Sequence, residues 1–95
     1  MRVRYRSRAL ADLEDIHRFL AQRSPGGARH VLAAIHAAID AVAEHPESSP
    51  RTSDPTIRVK VVGRYSYKVF YSITEDAIEI VHIRHAARRP WLDDK

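Results

Sequence analysis

Lys68, Arg84, His85, Arg88 and Arg89 are brought together by a short reach of sequence in the last third of the chain. Cations of this kind stabilise charge developing on a phosphate oxygen, and a histidine with an ordinary pKa near 6.5 moves protons at working pH. Lys68, His85 and Arg88 are therefore a candidate set for RNA cleavage, with Glu79 as a weaker proton carrier. That reaction needs a base for the 2′-hydroxyl and an acid for the leaving oxygen. No convincing second acid-base group stands beside His85, so recognition of a partner fits these residues better than catalysis.

Other chemistries have less support. Of the six histidines, His82 and His85 are three apart on one strand and point to opposite faces. His17, His30 and His36 fall on helices without the spacing of a metal pair, and there is no cysteine to help. No metal and no other cofactor is expected. The three glycines sit in neither a phosphate loop nor a nucleophile elbow.

Charge is distributed unevenly. The net charge is +4, yet from Arg58 to Arg89 seven Lys or Arg face three acids, and Arg2, Arg4, Arg6 and Arg8 open the chain with no acid among them. A basic sheet of this kind implies an acidic partner. Ninety-five residues suffice for one domain, 1–95, with a single modest core. The lack of cysteine excludes disulfides, and the absence of an apolar leader or any long apolar run predicts a soluble, cytoplasmic protein without a membrane segment.

Periodicity places these residues on elements. Arg2 to Arg6 alternates as a half-buried strand, with Val3 and Tyr5 inward. Ser7 is the expected cap of a first helix whose core stripe is Leu10, Leu13, Ile16 and Leu20, with Asp12, Asp15 and Arg18 on the solvated side. Ser24 and Pro25 start a second helix, which Pro46 stops near His45. The helices form an antiparallel hairpin, and a meander of three strands follows: Ile57 to Val62, Tyr65 to Ile73 and Ala77 to Arg84. The fold class is α+β, with the helices on one face of the sheet.

A three-residue turn at Gly63 and a two-residue turn at Glu75-Asp76 would put Ile57, Val59, Val61, Tyr67, Val69, Tyr71, Ile78 and Ile80 under the helices. Arg58, Lys60, Lys68, Phe70, Ser72, Val81, Ile83 and His85 would then share the open face. There Phe70, Val81 and Ile83 form an apolar floor rimmed by Arg58, Lys60, Lys68 and His85, suited to an acidic amphipathic segment. Arg84, Arg88, Arg89 and Trp91 lie at the end of that groove and are the candidate target contacts.

Element order, the stretch VGRYSYKVFYSI and the closing EIVHIRHAARRPW together resemble the RelE/ParE superfamily of bacterial type II toxins. The resemblance covers nearly the whole chain and is closer to the ParE branch. It implies a toxin that inhibits DNA gyrase and is neutralised by a cognate antitoxin in a hetero-oligomer. The RelE branch implies instead cleavage of mRNA on the ribosome, here by Lys68, His85 and Arg88. The late tyrosine of that branch is missing, and Trp91 cannot act as an acid. A non-toxic module that only binds an antitoxin is the third expectation.

Overall fold

The alternating residues at the start form β1 (Arg2–Tyr5), followed by the helices α1 (Ser7–Ala21) and α2 (Pro25–Glu44). The computed structural model describes residues 1–87, in which β2 (Arg58–Val62), β3 (Tyr67–Ile73) and β4 (Ala77–His85) complete the sheet. α2 starts as its sequence requires: the Ser24 hydroxyl accepts from the Gly27 amide at 3.0 Å, and Pro25 occupies the first turn. It ends at Glu44, one residue before the position that Pro46 bars from helical geometry. α1 begins one residue earlier than expected. The strand's last ladder bond, Arg6 N–H to the Ile80 carbonyl at 3.0 Å, keeps Arg6 extended and makes it the cap in place of Ser7.

The sheet order is β1-β4-β3-β2. β2, β3 and β4 form the expected antiparallel meander, and β1 lies parallel to β4 at the edge, from Arg2 opposite Ala77 to Tyr5 opposite Ile80. Ile16, Val31, Ile35, Ile39 and Val42 of the helices pack on Val62, Tyr67, Val69, Tyr71, Ile78, Ile80 and Ile83. Each fully buried aliphatic side chain contributes about 2 kcal/mol. The Tyr71 hydroxyl is satisfied by the Pro46 carbonyl at 2.6 Å, so this aromatic is buried without leaving a polar group unpaired.

Two local departures re-sort the faces. The connection after β2 has four residues, because Val62 pairs with Tyr67 across a 3-10 turn, Gly63–Tyr65, and Ser66 adopts left-handed φ of 60°. One extra residue exchanges the faces of β2. Arg58 and Lys60 therefore share a face with Tyr71 and Val69, while Val59 and Val61 join Phe70 and Lys68. The charges tolerate this because β2 is an edge strand: Arg58 Nη1 donates to the Ser49 and Glu47 carbonyls at 2.7 and 3.4 Å, and Lys60 stays half-buried.

The second departure is a bulge in β4. Tyr71 pairs with Ile80 but Phe70 pairs with His82, so Val81 has no opposite number. The expected open-face positions of Ile83 and His85 are thereby corrected: they share the helix face with Val69 and Tyr67, and His82 and Arg84 take the other side. Ile80 and Ile83 are three apart, and only an irregular strand can turn both into one core.

Candidate functional site

The open apolar floor predicted on the sheet does not form. Phe70 is fully buried, Val81 is buried, and Ile83 belongs to the core beneath the helices. His82 stacks on the Phe70 ring with centroids 5.9 Å apart, and the Arg84 guanidinium lies 5.7 Å from the same ring. Arg84 is itself buried, with Nη1 donating to the His85 carbonyl at 3.0 Å. It is part of a cation–π stack, not the freely reaching arm its place at a strand end suggested. Arg88, Arg89 and Trp91 lie outside the described residues.

The two described members of the candidate cleavage set are not brought together. Lys68 pairs with Arg84 and His85 with Tyr67, which puts Lys68 and His85 on opposite faces of the sheet. His85 meets the Tyr67 ring edge-on at 5.1 Å, and its Nδ1 accepts from the Ala87 amide at 3.1 Å.

A different constellation holds this corner, and it includes a residue read from sequence as merely solvated. Asp12, on α1, extends its carboxylate to the bulge in β4. Oδ2 accepts from the Ile83 amide at 2.9 Å and from His82 Nδ1 at 2.7 Å, while Oδ1 takes Arg8 Nε at 3.3 Å. β1 stops at Tyr5, opposite Ile80, so the next outward amide of β4 has no strand to bond, and Asp12 supplies the acceptor. The partners are 70 and 71 residues apart, a distance no local spacing could reveal.

The Asp12 carboxylate can only accept, so His82 donates to it through Nδ1. Burial pushes its pKa below the usual imidazole value; Asp12 pulls it up, and Arg8 and Arg84 push it further down. The unfolded chain therefore takes up this proton first on acidification. The contribution is intact above about pH 6.5 and is lost as the pH falls from there through the depressed folded value. The melting temperature is expected to fall between pH 7 and 5, with a shallower dependence in His82→Asn. An equal slope in that variant would assign the acid sensitivity to another group.

An apolar groove lies between the helices. Leu10, Leu13, Ala21 and Leu32 line this groove of about 1090 Å³ bordered by Glu14, His17, Arg18 and His36. Leu10 is 53% exposed, whereas the expected core stripe placed it inside. The buried stripe of α1 instead starts at Ala9 and continues through Leu13, Ile16 and Leu20, which leaves Leu10 one position round the helix. Among the described residues, no group of three or more His, Cys, Asp or Glu could hold a metal ion, and no helix is long and apolar enough to cross a membrane.

A helical hairpin on one face of a four-stranded sheet, with the first strand parallel to the last, is the fold of RelE/ParE superfamily toxins. A chain of the chromosomal ParDE TA system from P. aeruginosa shares it with a TM-score of 0.77, at 17% identity, over 90% of this chain and 95% of that one. The family described as ParE toxin of type II toxin-antitoxin system, parDE, matches residues 3–90, and the chain belongs to it. Toxin RelE2 of Caulobacter vibrioides is 40% identical over 81 residues, covering 85% of this chain and 90% of that relative. Y4kP of Sinorhizobium fredii is 34% identical over 85 residues, covering 90% and 88%.

Proposed function

We propose that this toxin acts in the cytoplasm by inhibiting DNA gyrase and is held inactive by a cognate antitoxin. The observation that carries this choice of target is the separation of Lys68 from His85 by the sheet. A phosphate-cleaving centre needs its charge stabiliser and its proton carrier on one side of the scissile bond. Gyrase contact is assigned to Arg88, Arg89 and Trp91 on their charge and aromatic character. A second reading, mRNA cleavage on the ribosome, draws support from the RelE2 name of a relative.

We infer that the antitoxin docks in the groove between α1 and α2, a reading supported by the division of Arg58, Lys60, Lys68 and His85, the cations of the expected sheet groove, between two faces. An amphipathic segment would bury its apolar stripe on Leu10, Leu13 and Leu32 and turn an acidic flank to His17, Arg18 and His36.

Purified chain at micromolar concentration is expected to stop gyrase from supercoiling relaxed plasmid, and premixing with antitoxin to restore it. Undisturbed supercoiling together with A-site cuts in primer extension would transfer the proposal to the ribosome. Normal growth of cells expressing the chain alone would reduce it to an antitoxin-binding module.

A further inference from the structure

The proposed gyrase and antitoxin contacts leave out the arginines that open the chain. Val3 and Tyr5 pack on the core, so alternation sends Arg2, Arg4 and Arg6 to the face opposite the helices. Their side chains are 71%, 49% and 53% exposed. β1 is an edge strand; Arg2 and Arg4 lie on it, and Arg6 is the extended residue that follows. The carboxylates beside these arginines do not saturate them. Asp76 Oδ2 is shared between Arg2 and Arg4 at 3.7 and 3.6 Å, longer than a hydrogen bond, and Glu79 Oε1 takes both Nε and Nη2 of Arg6 at 3.1 and 2.9 Å.

Arg6 also lines a cleft of about 590 Å³ whose walls include Arg51, Arg58, Thr56, Ser72 and Thr74 beside Ile57 and Ile73. The cleft also holds Glu47 and Asp54, and the Asp54 carboxylate is turned onto the Thr56 amide and hydroxyl at 2.9 and 2.7 Å.

We propose that the Arg2-Arg4-Arg6 ladder is a binding track for the phosphate backbone of a nucleic acid, read without regard to base sequence. Side chains on one face of a strand repeat about every 6.7 Å, so the ladder spans about 13 Å. One strand of a duplex carries about four phosphates over that length. Guanidinium forks match phosphate oxygens in pairs, which ammonium groups do not. An acidic protein would need an exposed apolar centre to hold it; beside Arg2 and Arg4 this face carries Ala77, Glu79 and Ser72, and the apolar Val81 and Phe70 further along are buried. Phosphate contacts need no such centre. The track is independent of the gyrase and antitoxin readings, and its test uses neither.

Fluorescence anisotropy of a short labelled DNA duplex, titrated with purified chain over a salt series, measures it. Three neutralised phosphates give a log–log salt slope of about −2.7, hence about 40-fold weaker binding between 50 and 200 mM salt. The triple variant Arg2→Gln, Arg4→Gln, Arg6→Gln is expected to lose at least about tenfold in affinity and most of that slope. A control with the same charge change elsewhere, Arg23→Gln, Arg29→Gln, Arg64→Gln, is expected to keep the slope. Should the ladder triple fail to fold, Arg2→Gln with Arg4→Gln leaves the Arg6–Glu79 pair intact and is expected to lower the slope by about two. Four outcomes overturn the proposal: no binding by the unmodified chain, an unaltered slope in the ladder variant, equal losses in ladder and control variants, or polyglutamate competing as well as unlabelled DNA.

Discussion

Asp12→Ala is expected to destabilise the fold by about 3 kcal/mol, because two buried donors, the Ile83 amide and His82 Nδ1, lose an ionised acceptor together. In a domain of this size that lowers the melting temperature by roughly 15 °C. Asp12→Asn keeps one acceptor oxygen for the Ile83 amide and is expected to cost about 1 kcal/mol. Thermal and urea unfolding of the two variants decide the point. An Ala variant within about 0.5 kcal/mol of the parent would mean that water, not Asp12, satisfies the bulge.

Leu10→Glu is expected to do the opposite: little to stability, much to binding. The side chain is 53% exposed, so a charge there changes the folded state by about 0.5 kcal/mol or less. On the docking reading the same charge lies in the apolar floor of the hairpin groove, where it weakens antitoxin affinity about 100-fold, or about 2.7 kcal/mol. Titration calorimetry measures the loss directly. In cells, the variant should remain toxic while co-expressed antitoxin no longer protects. Undiminished affinity would remove the hairpin groove as the docking surface.

Strong local signals in the sequence announce the elements themselves. Ser24-Pro25 starts α2, Pro46 ends it, and the Val3/Tyr5 alternation marks β1 as half-buried. The faces were less legible, because each depends on a parity. One extra residue after Val62 and one unpaired residue at Val81 suffice to exchange the neighbours of Arg58, Lys60, Ile83 and His85. Leu10 misled for another reason. Ala9 and Leu10 both fit a helical stripe, and hydrophobicity favours the leucine, but the small alanine is the one that fits closely at the helix–sheet contact. The Asp12–His82 pair had no sequence signal, since its members meet only after the sheet has closed.

The pairing of β1 with β4 also sets a rule for synthesis. Among the described residues, the first strand has as its one neighbour in the sheet a strand that begins at Ala77, and the helix after it is fastened at Asp12 to His82 and Ile83. Loop closure over so many residues comes late in folding. Truncated translation products ending before Ala77 lack both the strand that pairs with β1 and the two groups that fasten Asp12. The fold is thus complete only in a copy that reaches its last strand.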